Sequence, residues 1–306
     1  GLTVNSLLAG KYFSVNKKYI LVGNGASELI KSLFSFLTGK FGIVYPTFEE
    51  YPNRLKPEQI IPYYPDNENF HYSANDLIEF YSRFSISNII IINPDNPFGN
   101  FLHVRDIEKL IKWANDKNIN LIIDESFIDF AEESYNSTLL KNDTLKNNPN
   151  LIVIKSISKS YGVPGLRLGV VASSNVDLIN FIRKDLSIWN INSFAEFYLQ
   201  IFSKYENDYK EACRIFKKER KEFYQELNNI NFLRIIPSQS NYFLCEVKHP
   251  YTATVLTHKL LVEGNILVKD CSAKTGFSGR EFIRIAVKKA DENKILTKLL
   301  KLYENN

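Results

Sequence analysis

Asn88-Ile89-Ile90-Ile91-Ile92 and, farther along, Asn120-Leu121-Ile122-Ile123 decide the fold. Neither run alternates polar and apolar residues. Continuous β-branched runs of this length read as strands buried on both faces, the pattern of a parallel sheet. Five more short apolar runs, at 19–22, 42–45, 59–62, 151–155 and 168–172, belong to the same series. Helix-like segments near 27–37, 74–81, 104–117 and 175–184 lie among them. Alternation of strand and helix predicts an α/β domain, a mostly parallel seven-stranded sheet with helices on both faces. We assign it residues 1–190.

Beyond about residue 186 the texture changes. A long stretch, 193–229, keeps helical spacing. Strand-like segments follow at 232–236 and 242–247, then a helix near 252–263, strands near 266–269 and 282–287, and a last helix near 291–303. This predicts a smaller α+β C-terminal domain, residues 191–306, joined to the first through the long helix.

Composition excludes several classes. The 306 residues carry 38 Lys+Arg against 34 Asp+Glu, a net charge of +4 spread along the chain, which gives no support to nucleic-acid binding. With 44% hydrophobic and 24% charged residues the chain can bury a sizeable core, so disorder is excluded. No apolar run reaches membrane-spanning length. The three cysteines, Cys213, Cys245 and Cys271, are far apart, and the four histidines lack metal-ligand spacing. A reducing, cytoplasmic setting and no bound metal are expected.

In open α/β sheets ligands bind where strands end at their carboxyl termini. After 19–22 comes Gly23-Asn24-Gly25-Ala26-Ser27, where a helix start could cradle an anion or merely close a turn. After 88–92 comes Asn93-Pro94-Asp95-Asn96-Pro97-Phe98-Gly99, which holds Asn96 rigidly between two prolines; by itself the segment reads first as a plain Pro-Asn turn. After 120–123 comes Asp124-Glu125-Ser126-Phe127. An acid at the end of an apolar strand is costly unless paired, though a solvated strand end is the simpler alternative. After 151–155 comes Ser156-Ile157-Ser158-Lys159, then Pro164-Gly165-Leu166-Arg167-Leu168-Gly169. A desolvated lysine there could form a Schiff base; a surface lysine in a loop is the alternative. Pyridoxal phosphate would use all four strand ends, through its phosphate, ring hydroxyl, ring nitrogen and aldehyde.

These motifs, in this order, resemble those of class I/II pyridoxal-phosphate-dependent aminotransferases of fold type I, and within them histidinol-phosphate aminotransferase and threonine-phosphate decarboxylase. The similarity runs from about residue 2 to the C-terminus. It implies that Lys159 holds the cofactor aldehyde and moves the α-proton, that Asp124 pairs with the pyridine N–H, and that Asn96 bonds the ring hydroxyl. It implies a phosphate site at Gly25, Ala26, Ser27, Ser156 and Arg167, with Phe48, in Tyr45-Pro46-Thr47-Phe48-Glu49-Glu50-Tyr51, stacked on the ring. Arg284, in Phe282-Ile283-Arg284-Ile285-Ala286, falls at the family's substrate-carboxylate arginine. Lys269 stands where relatives often have Arg near a substrate phosphate, and is otherwise a solvated lysine; Asn241 is expected to face the pocket.

The departures are informative. Phe127 replaces a common Tyr, in the manner of the threonine-phosphate decarboxylases, and Phe98 replaces a small residue. The family's N-terminal arm has no counterpart, so the chain is expected to be the C-terminal part of something longer, in the pattern of fusions with an upstream nucleotidyltransferase. The resemblance implies a homodimer. The reading is an aminotransferase exchanging a small amino acid, phosphorylated or phosphonylated, with a 2-oxo acid; the alternative is a decarboxylase on the same scaffold.

Overall fold

The computed structural model describes residues 1–304. Its strands are β1 (Ile20–Asn24), β2 (Phe41–Val44), β3 (Ile60–Tyr63), β4 (Asn88–Ile92), β5 (Asn120–Asp124), β6 (Leu151–Lys155), β7 (Leu168–Ala172), β8 (Leu233–Ile235), β9 (Tyr242–Val247), β10 (Lys269–Asp270) and β11 (Phe282–Ala286). The first seven form one sheet in the order β1-β7-β6-β5-β4-β2-β3, and the last four a second sheet, β10-β11-β9-β8. In the large sheet only β7 runs against its neighbours. The mostly parallel sheet, the helices packed on it and the separate small sheet agree with the expected class.

The isoleucine run is explained by its two faces. Ile89 and Ile91 join the apolar cluster on one side of the sheet, Ile90 and Ile92 the cluster on the other. Leu121 and Ile123 divide from Ile122 in the same way. Each fully buried side chain of this kind is worth about 1.5–3 kcal/mol, so packing on both faces stabilises the strand.

Two expectations need correction, and one helix was not anticipated. The stretch 193–229 is not one helix: Ser193–Ile201 leads through a 3₁₀ turn, Phe202–Tyr205, into Glu206–Leu227. Ser193–Ile201 buries Ala195 and Leu199 in the large-sheet core, whereas the small-sheet core begins at Phe223. The strand expected at 266–269 shrinks to the two residues of β10, because Leu267 is left exposed and only the end of the segment reaches β11. An unforeseen helix, Leu2–Phe13, packs beside Ser193–Ile201. Its Val4 and Leu7 face outward, which blurs the amphipathic signal that would have announced it.

Arg220 ties the two sheets together. It is buried in the helix Glu206–Leu227 and donates to the carbonyls of Phe130 (2.7 Å) and Ser240 (3.2 Å) and to Glu132 Oε1 (2.9 Å). Burial lowers its pKa, offset by Glu132. Arg220→Met keeps the stem but leaves the carbonyls of Phe130 and Ser240 without this donor. We expect a loss of about 2–4 kcal/mol in urea unfolding. A loss below about 0.5 kcal/mol would show that solvent replaces the guanidinium.

Candidate active site

The C-terminal ends of β4, β5 and β6 lie side by side, with Ile92 opposite Asp124 and Asp124 opposite Ile154. Asn96, Asp124 and Ser156 through Lys159 are thereby brought to one edge of the sheet. Asp124 is buried. Its Oδ1 accepts the Ser126 N–H and its Oδ2 accepts the Tyr51 hydroxyl, each at 2.8 Å. Tyr51 is fully buried. Burial first, and then the Asp124 charge, hold that phenol well above its ordinary pKa, so it remains a donor.

Lys159 sits in a single helical turn, Ile157–Ser160. Its Nζ lies 4.7 Å from the centre of the Phe48 ring and 4.8 Å from that of Phe127. The side chain reaches open solvent along the cleft, yet protein surrounds most of it. That surrounding desolvates the amine and lowers its pKa; Arg284 and Arg167 push the same way, and Asp124 opposes them.

The candidate anion cradle is built by close approach. Gly25 adopts φ 77°, and a Cβ there would meet Arg167 Nη2 at 2.5 Å, so the guanidinium lies directly over the loop. A Cβ on Gly169 of β7 would meet the Ala26 backbone N at 2.5 Å, so β7 touches the start of the helix Ala26–Phe36. The first N–H groups of that helix, the Ser27 hydroxyl and Arg167 therefore share one corner. Ser156, just after β6, is buried and donates its N–H to Ser126 Oγ at 3.0 Å.

Across the cleft stands the small sheet. Arg284 Nη1 donates to Asn96 Oδ1 at 2.7 Å, and its guanidinium lies 4.8 Å from the Tyr242 ring centre. Lys269 pairs with Arg284 in the β10–β11 register. Phe48, Asn96, Phe127, Lys159, Asn241, Lys269 and Arg284 all line one cleft of about 1230 Å³. Gly25, Ala26, Ser27, Asp124, Ser156 and Arg167 are outside its lining, at the strand ends described above. Two residues escaped the sequence reading. Tyr51 was recognisable only as the partner that a buried Asp124 must have. Lys274, which donates to Thr47 O and Glu49 Oε1 at 2.6 Å each, fastens a small-domain loop to the Phe48 segment and carries no motif. Among the described residues no group of three or more His, Cys, Asp or Glu is placed to hold a metal, and no helix is long and apolar enough to cross a membrane.

A flat heteroaromatic aldehyde phosphate fits this donor set: an amine flanked by two aromatic rings, a buried carboxylate, an amide held by Arg284, and an anion cradle. The electrostatics are testable without any ligand. Competitive acylation read at the Lys159 peptide should titrate below the ordinary lysine value. Arg284→Gln should raise that midpoint by removing a repelling cation, and Asp124→Asn should lower it further. Shifts of the opposite sign would contradict the arrangement.

The chain is similar along nearly its whole length to known proteins. The family model "Aminotransferase class I and II" matches residues 3–300. A CMP-5'-(3-aminopropyl)phosphonate synthase of Streptomyces rubellomurinus is 30% identical over 90% of this chain, which spans only 43% of that relative's length. An L-serine phosphate decarboxylase of Campylobacter jejuni is 31% identical, with 96% of this chain and 77% of the relative covered. The crystal structure of histidinol-phosphate aminotransferase from Clostridium acetobutylicum superposes with a TM-score of 0.87 at 30% identity, covering 99% of this chain and 88% of the other. The chain belongs to the class I and II aminotransferase family, whose members depend on pyridoxal phosphate.

Proposed function

We propose that the chain is a pyridoxal-phosphate enzyme that removes the α-carboxylate of a small amino acid bearing a second anion, a phosphate or phosphonate. The observation that carries this reading is the pairing of Arg284 with Lys269 across β11 and β10 in the cleft that also contains Lys159. Directly paired residues on adjacent strands stand about 5 Å apart at Cβ and point to the same face. Two cations so placed suit a dianion. If they hold the distal phosphate together, the α-carboxylate is left beside Phe48 and Phe127. In such apolar surroundings a carboxylate is poorly solvated, and its departure as neutral carbon dioxide is favoured. The serine phosphate decarboxylase relative supports the same reading.

The residues divide the work. Lys159 would hold the cofactor aldehyde, and its free amine would deliver a proton to the α-carbon or remove one from it. Asp124 would keep the ring nitrogen protonated, Asn96 would bond the ring hydroxyl, and Phe48 would cover the ring face. Gly25, Ala26, Ser27, Ser156 and Arg167 would hold the phosphate. The bound cofactor supplies an electron sink for the breaking bond. Transamination with a 2-oxo acid is the second reading. It is favoured by the likeness to histidinol-phosphate aminotransferase and corresponds to Arg284 gripping the α-carboxylate while Lys269 alone meets the phosphate.

The protein is also proposed to act as a homodimer. Val4 and Leu7 on Leu2–Phe13, Ile188 and Trp189 on the adjoining loop, and Phe194 and Phe197 on Ser193–Ile201 are all exposed, and the two helices pack side by side. A patch of this kind fits a second copy.

Incubation with O-phosphoserine and O-phosphothreonine, with and without 2-oxoglutarate, should release carbon dioxide in both conditions and form no keto product. Keto product that requires 2-oxoglutarate would establish the second reading. Lys269→Ala and Arg284→Ala should each weaken phosphorylated substrates about tenfold or more. On the first reading both variants spare neutral amino acids. On the second, Arg284→Ala weakens all amino acids alike. The double variant Phe194→Glu/Phe197→Glu should sediment as a monomer; an unchanged dimer would place the interface elsewhere.

A further inference from the structure

Tyr51 lies three residues beyond Phe48, and a turn of the chain carries its ring beneath the sheet edge. The ring is fully buried, edge-on to Phe48 (centroids 6.1 Å apart) and tilted against Phe34 (6.0 Å). Its hydroxyl reaches Asp124 Oδ2 at 2.8 Å, and the Ser126 N–H occupies Oδ1 at the same distance. Each carboxylate oxygen thus receives one donor from the protein, and the two donors fix the carboxylate plane. Without them the terminal torsion of an aspartate is soft, and a buried oxygen lacking a donor bears its full desolvation cost.

We propose that Tyr51 is a positioning residue that aims Asp124 at the cofactor ring nitrogen and so sets how much that nitrogen contributes to cofactor binding. This rests on the reading of Asp124 as the ring nitrogen's partner. The buried phenol stays protonated at all working pH, so the donor is permanent. The same segment supplies the ring that covers the cofactor, Phe48, and the group that orients its electrostatic partner. A single short stretch after β2 thereby governs both the stacking and the polarity of the cofactor ring.

The test loads the protein with pyridoxamine phosphate or with its 1-deaza analogue, in which C–H replaces the ring nitrogen, and measures both dissociation constants. The wild type should prefer the nitrogen compound, and Asp124→Asn should abolish the preference. Tyr51→Phe should shrink the preference about fivefold or more while changing affinity for the deaza analogue by no more than about twofold. Tyr51→His, which returns a donor to the same space, should restore part of it. An equal fall for both compounds in Tyr51→Phe would reduce Tyr51 to packing and overturn the proposal. So would a preference as large as in the wild type. Equal preferences in the wild type and Asp124→Asn would remove Asp124 as the partner, and the inference with it. Because each variant is its own control through the pair of compounds, a general loss of stability lowers both affinities together and cannot imitate the expected result.

Discussion

A carboxylate buried at the end of an apolar strand is the constraint around which this site is organised. Asp124 follows Leu121-Ile122-Ile123 in β5 and is enclosed by protein. Such a charge is tolerated only where donors and opposite charges meet it. Tyr51 and the Ser126 N–H supply the donors, and the cationic field of Lys159 lies nearby. The arrangement acts back on Lys159. Burial, Arg284 and Arg167 make its amine less basic, while Asp124 keeps the shift from running further. A desolvated amine and a buried acid therefore depend on each other's placement, and both depend on the parallel register of β4, β5 and β6.

Much of this was legible because the signals are local. The isoleucine runs read as doubly buried strands, and the chain places them so, one face for odd and the other for even positions. Residues after each strand end could be nominated because a parallel sheet gathers those ends. What escaped depends on distance in sequence. The Tyr51–Asp124 bond spans 73 positions and the Arg284–Asn96 bond 188, and no periodicity encodes either. The helix Leu2–Phe13 was missed because Val4 and Leu7 leave an apolar side exposed, and the break at Phe202–Tyr205 because its spacing continues that of the flanking helices.

The small sheet does more than close the cleft. Arg284 bonds Asn96, Tyr242 donates to the Asp95 carbonyl at 2.7 Å, and Lys274 reaches the backbone of Thr47. Each contact lands on a segment that carries a site residue of the large sheet. The proposed substrate-facing cations and the proposed cofactor-facing groups are thus linked through short hydrogen bonds. Arg220 reinforces this from below by holding the Phe130 and Ser240 carbonyls.

The central claim is that the four strand ends hold one pyridoxal phosphate, bonded to Lys159. Borohydride reduction of the cofactor-loaded protein followed by peptide mapping tests it most directly. The account predicts a single modified peptide carrying the phosphopyridoxyl group on Lys159. Modification at another lysine, or none in protein supplied with the cofactor, would contradict it.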